Sequence, residues 1–217
     1  MQVHLPEPLH GWRAFLGEVG IIVLGVLVAL AAGQLAELLP RGQQARLAEQ
    51  AMRLELAEDD GPQAYGRVAI SRCLNNQIAR IHDAAAVAPA DQLRKWAASY
   101  APPFRTWDNE AWKAVVSSDI ANYMGAKRLV AWSAAYRMVP GLNDTNLRET
   151  ELASDLRDAL PPSGELSPAD RQSLRRVAGQ LRMSNDRLSR GSQLFLARTR
   201  PLGATVPAAT QQGLLRE

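Results

Sequence analysis

From Val19 to Gly33 the chain contains no charged or strongly polar residue, and extended from Phe15 to Leu39 it reads FLGEVGIIVLGVLVALAAGQLAELL. The run is apolar around its whole helical circumference, without the polar stripe of a helix on a globule's surface. Glu18 and Gln34 fall near its two ends, where polar groups reach headgroups and water. As a helix from Phe15 to Glu37 it would be roughly 34 Å long, which matches a bilayer core. The pattern therefore predicts a transmembrane anchor over 15–39, behind an N-terminal tail of residues 1–14. Ala29-Leu30-Ala31 resembles the cleavage box of a signal peptide, but Glu7 and Glu18 with a single Arg precede it and apolar sequence continues to Leu39. An uncleaved anchor is the preferred reading. Arg41, Arg46 and Arg53 after the run, against Arg13 before it, lean towards a cytoplasmic C-terminal domain without fixing the side.

Behind the anchor the pattern is helical throughout. Residues 43–58 place Leu47, Ala51 and Leu54 on one face, in a helix that continues from the anchor with a bend at Pro40 and Gly42. Asp60, with Pro62 in the first turn, predicts the cap of a helix carrying Ile70, Leu74, Ile78 and Ile81. Pro89 and Pro102-Pro103 bracket a short helix with Leu93, Trp96 and Ala97 on one side. Another starts at Thr106 or Asp108, and Ser117-Ser118-Asp119 is a break and fresh cap. A long helix from Ala126 buries Leu129, Trp132, Tyr136, Val139, Leu142, Leu152, Leu156 and Leu160, interrupted at Pro140-Gly141. Ser167-Pro168-Ala169-Asp170 opens a final helix with Leu174, Val177, Leu181, Leu188 and Phe195 on its apolar face. Pro201 ends it. The expected architecture is all-α: an N-terminal transmembrane helix, an antiparallel helical bundle over 40–200, and a flexible tail over 201–217.

Composition supports this and adds little chemistry. Ala, Leu, Arg, Glu and Gln are plentiful in the 217 residues, and β-forming runs are hard to find. The net charge of +3 demands no acidic partner. Cys73 stands alone, so no intramolecular disulfide forms. There is no glycine-rich phosphate loop, HExxH or GxSxG. The histidines are scattered as His4, His10 and His82, so neither a metal site, a cofactor site nor catalysis is expected. The final helix is Arg-rich, with Arg171, Arg175 and Arg182 sharing a face. Without aromatic interleaving or a DNA-binding motif, it reads as a solvated surface, and nucleic acid is not expected as a partner.

Two further patterns bear on function. Gly25-x3-Ala29-x3-Gly33 is a small-xxx-small series of the kind that lets two membrane helices approach closely. A homodimer is the expectation it raises. Trp107, Trp112, Trp132 and Tyr136 cluster in mid-sequence, with Asn146 and Glu149 just beyond the Pro140-Gly141 break. They are candidates for lining a ligand pocket, although core packing is the better reading of such aromatics.

The opening HGWRAFLGEVGIIVLGVLVALAAGQ resembles the start of an uncharacterised family of bacterial single-pass membrane proteins. Its members carry a GE-x-x-IIVLGVL-x-AL anchor ahead of a helical domain. The segment around Trp112, the helix over Ala126–Tyr136 and the leucine-rich final helices are similar in layout. The resemblance implies location in the bacterial inner (cytoplasmic) membrane and an all-helical domain, and it supplies no activity. A non-enzymatic, membrane-anchored interaction or scaffold module with an unidentified protein partner is the leading expectation. A sensor-like ligand-binding bundle is the alternative.

Overall fold

The computed structural model describes residues 11–214, and within the first helix it describes the side chains of Leu16, Val19–Val28, Leu30 and those from Arg41 onward. The described residues form helices and connections and contain no strand. Helix α1 (Gly11–Leu54) runs without interruption into a π-helical turn (Glu55–Asp60) and then α2 (Gly61–Ala84). After these come α3 (Ala90–Ser99), α4 (Glu110–Val116), a 3₁₀ turn (Asp119–Tyr123), α5 (Ala126–Tyr136), α6 (Val139–Asp158), α7 (Pro168–Thr199) and α8 (Ala208–Leu214).

The all-α bundle is as expected, but its first joints are not. Pro40 lies inside α1, and the helix passes through it. Asp60 caps nothing: its side chain makes no bond to the start of α2. Instead the chain widens by one residue. The Gly61 N–H donates to the Leu56 carbonyl, five residues back. Pro62 supplies a reason for the widening, because a proline inside an α-helix clashes with the carbonyl four residues earlier and has no N–H to give it. A π-turn absorbs that mismatch without ending the helix.

Among the described residues no helix is long and apolar enough to cross a membrane. The anchor expected over 15–39 thus has no counterpart of that kind there, and most of its C-terminal half, Ala29 and residues 31–39, lies outside the described side chains. The next stretch of α1 also turns a different face inward. Ala45, Glu49 and Met52 are buried, with Leu56 in the π-turn beyond, whereas Leu47 and Leu54 are 65% and 47% exposed. Burial follows the stripe that meets α5, where Arg128 donates to Glu49 and the Tyr136 hydroxyl to the Met52 carbonyl.

Two apolar clusters fill the bundle. The first gathers Leu74, Ile78, Ile81, Leu93, Tyr100, Leu152, Leu156, Leu174 and Leu181, and the second Met52, Leu56, Trp107, Trp132, Tyr136, Leu142, Leu188 and Phe195. The expected apolar faces of α2, α6 and α7 all enter them. α7 begins with the reciprocal cap its sequence announces: Ser167 accepts from the Asp170 N–H, and Asp170 accepts from the Ser167 N–H. Ser118 likewise caps the 3₁₀ turn. The segment read as a frayed tail packs as far as Leu214, with Ala204 and Val206 buried and α8 lying on α2.

The π-turn fixes Gly61. A Cβ there would meet the Leu56 carbonyl oxygen at 2.7 Å and Val206 Cγ2 at 2.8 Å, whereas at Gly179, within α7, it would meet nothing within 4 Å. Gly61→Ala should therefore lower stability by about 1–3 kcal/mol. Gly179→Ala should raise it by about 0.5–1 kcal/mol. Urea denaturation of the two variants checks both signs.

Candidate functional site

Between the two apolar clusters lies a buried polar layer. Arg67 falls between Ala64 and Leu74 on α2, Glu149 between Leu142 and Leu152 on α6, and Asn185 between Leu181 and Leu188 on α7. Arg67 and Asn185 are fully buried and Glu149 is 1% exposed. Arg67 grips Glu149 with both prongs, Nη1 to Oε2 at 2.6 Å and Nη2 to Oε1 at 2.5 Å. Nη2 also donates to Asn185 Oδ1. Asn185 Nδ2 in turn donates to the Ser71 carbonyl at 3.0 Å, and Ser71 Oγ to the Arg67 carbonyl at 2.7 Å. Such a fork satisfies both charges only in one relative placement of the three helices. Burial, and then the nearby Glu149 carboxylate, pushes the Tyr100 phenol above its ordinary range.

A second polar group surrounds the π-turn. The extended segment between α3 and α4 has few backbone partners of its own, and side chains supply them. Asp60 Oδ1 accepts from the Asp108 N–H at 2.8 Å, and Glu55 Oε2 from the Ala111 N–H at 2.9 Å. Glu55 thus caps α4 from another helix, where Asn109 leaves its first turn unbonded. Asn143 clamps Trp107 from both sides, its Oδ1 accepting from the Trp107 N–H at 3.0 Å and its Nδ2 donating to the carbonyl at 2.7 Å. Asn146 Nδ2 donates to the Arg105 carbonyl at 2.8 Å.

Asp60 is the unusual member. Its side chain is fully buried and its Oδ2 has no partner. Burial pushes its carboxyl up to about 8, the Asp108 N–H opposes this, and the charges of Glu55, Asp108 and Asp59 add to the rise. At neutral pH the group is therefore mostly a neutral acid with an O–H to donate. Burial and Glu55 also push the Tyr136 phenol upward, and its hydroxyl donates to the Met52 carbonyl at 3.1 Å. Among the described residues no three His, Cys, Asp or Glu are placed to hold a metal.

The residues read from the sequence as a pocket part company here. Trp107, Trp132 and Tyr136 are at most 2% exposed and pack in the second cluster. Asn146 and Glu149 are 1% exposed and serve the loop clamp and the polar layer. Trp112 alone reaches a concavity of about 460 Å³, with Val116, Leu129, Val130 and Arg137, while its ring stacks on Tyr136 at 5.6 Å. Gly25 is exposed with nothing within 4 Å of its would-be Cβ; the side-chain positions of Ala29 and Gly33 lie outside the described residues. Sequence reasoning missed Arg67, Asp60 as a buried acid, Glu55 and Asn185. The one available sign was a charged residue on the inward stripe of α2, where Arg67 sits three and seven residues from Ala64 and Leu74.

Two expected outcomes follow from these groups. Asp60 has a folded-state value above its unfolded value of 3.8, so its contribution to stability is fully present below that value and is lost as pH rises through about 8. Asp60→Asn keeps the acceptor for Asp108 and should flatten the decline in melting temperature between about pH 4 and 8, which thermal melts across that window check. Glu149→Ala should cost about 3–5 kcal/mol by stranding the Arg67 charge, whereas the double change Arg67→Met with Glu149→Leu should cost far less. Denaturant titration of the single and double variants measures the difference.

Comparison with known proteins leaves these geometries to speak for themselves: no family model, no curated protein and no solved structure matches the chain.

Proposed function

We propose that the protein is a membrane-anchored helical interaction module that self-associates along α1, without an enzymatic role. The observation that carries this reading is the exposure of the N-terminal part of α1. Each residue from Val19 to Val28 is exposed, and so are Leu16 and Leu30, with Ile21 at 74% and Ile22 at 65%. Ten successive residues cover every direction around a helix, so no face is reserved for the bundle. A contiguous apolar surface of this kind marks a partner or a lipid phase. With its flanks, Phe15–Glu18 and Ala29–Leu39, the segment has the length of a single-pass span. The bacterial inner membrane is the proposed location.

The same helix supports self-association. Beyond the apolar segment, Leu47, Ala51 and Leu54 share an exposed face at four- and three-residue spacing. A second copy of α1, running parallel in the same membrane, presents the identical stripe and covers it. Gly25, Ala29 and Gly33 would allow the two helices to approach within the bilayer. The aromatic cluster gives no comparable support to a ligand-binding role, because its large rings are spent on the core.

The full-length chain expressed in bacteria should stay in the membrane pellet after alkaline carbonate extraction. Val23→Arg with Leu27→Arg should release it, since each charge at mid-span costs about 2.5–3.5 kcal/mol. Recovery of the unaltered chain in the supernatant would refute the anchor. In a Cys73→Ser background, Leu54→Cys should give disulfide-linked dimers under mild oxidation, reduced by Gly25→Ile. Monomers alone would refute the self-association.

A further inference from the structure

At the end of the bundle away from α1, a concavity of about 710 Å³ opens between the last turn of α2, the connection to α3 and the first turns of α7. That volume lies within the ordinary range of small-molecule sites. Its apolar lining is Ala86, Leu166 and Pro168, and its polar lining is His82, Gln172, Arg171, Arg175 and Arg176. No carboxylate is among these residues.

Three guanidiniums around one apolar-floored hollow repel each other unless something compensates them. Protein groups do so only in part. Arg171 is held in place by its Nη1, which donates to the carbonyls of Ala85 at 2.8 Å and Ala88 at 2.9 Å. Those bonds fix its position and leave its charge without a counter-ion. Arg176 has a single long bond, Nη2 to Ser173 Oγ at 3.4 Å. Arg175 is exposed and has no hydrogen bond or ion pair among the described residues. Of the nearby acids, Asp83 pairs with His82 at 2.9 Å and Asp170 is turned back to cap α7 at Ser167, while Asp155 and Asp158 line a separate concavity that also borders Arg176 and make no ion pair with it. The Arg-rich face of α7, taken from sequence as merely solvated, thus becomes one wall of a shaped hollow once α2 supplies the other.

We propose that this hollow binds a small organic phosphate with an apolar body. The phosphate sits against Arg175 and Arg176, whose forked donors match its oxygens, with Arg171 as a fixed third charge. The body lies on Leu166, Pro168 and Ala86. The site is separate from α1 and does not depend on membrane anchoring.

The test uses the full chain in a neutral detergent and isothermal titration calorimetry with 1-naphthyl phosphate. Saturable one-to-one binding is expected. Arg175→Gln and Arg176→Gln should each weaken it about tenfold, consistent with losing one charge-assisted hydrogen bond. Both side chains are exposed and outside the core, so the variants should melt like the parent. Inorganic phosphate should compete poorly and 1-naphthol should bind much more weakly. No saturable binding, unchanged affinity in the double variant, or naphthol binding as tightly as its phosphate would each overturn the proposal.

Discussion

The bundle depends on one buried ion pair. Arg67 and Glu149 are 82 residues apart and almost wholly removed from water. Taking both charges out of water costs several kcal/mol each, so the pair is a poor source of net stability. What it supplies is register. α2, α6 and α7 each carry polar residues within their buried stripe, and Arg67, Glu149 and Asn185 are the ones that meet at one level. A slip of α7 by one turn would set an aliphatic side chain such as Leu181 or Leu188 against the guanidinium and remove Asn185 from it. Two greasy clusters alone would tolerate such a slip far better than this layer does.

The π-turn is the complementary device at the start of α2, just ahead of Arg67. It lets α1 and α2 form one continuous rod despite Pro62, and it turns Asp60 towards the chain between α3 and α4 and Glu55 towards the first turn of α4. Two acidic side chains then serve as backbone acceptors where no regular partner is available. The cost of burying them is met at Asp60 by keeping its proton. The turn between α1 and α2 is therefore held by specific polar contacts on one continuous helix.

Much of this was legible in the sequence, for reasons that separate the successes from the failures. α7 is readable end to end because Ser167, Pro168 and Asp170 specify its start and Leu174 to Phe195 its inward face. α3 is readable from Pro89 before it, Pro102-Pro103 after it and the apolar Leu93, Trp96 and Ala97. The failures share a cause. Leu47 and Leu54 look like core but are exposed, and Arg67 looks like surface but is buried, because burial is decided by a partner far along the chain. Periodicity reports which residues share a face, not which face is covered. Asn146 illustrates the same limit: it reads as a polar group near a pocket, and it bonds to the backbone of Arg105, 41 residues earlier. Trp107, Trp132 and Tyr136 lie in the second cluster while Trp112 reaches a surface concavity, and the Arg-rich start of α7 gained meaning only from the hollow that α2 closes.

The two clusters also bear on what the apolar part of α1 is for. Among the described residues their earliest member is Ala45. Arg41 bonds to the bundle through Tyr123 at 2.7 Å and lies over its ring. The described side chains between Leu16 and Leu30 take no part in either cluster. An apolar helix that contributes nothing to the core exposes large side chains at a cost of about 1.5–3 kcal/mol each relative to burial. Such a surface is sustained only where something outside the bundle covers it, which is why the proposed anchor and the proposed self-association belong to a single functional reading.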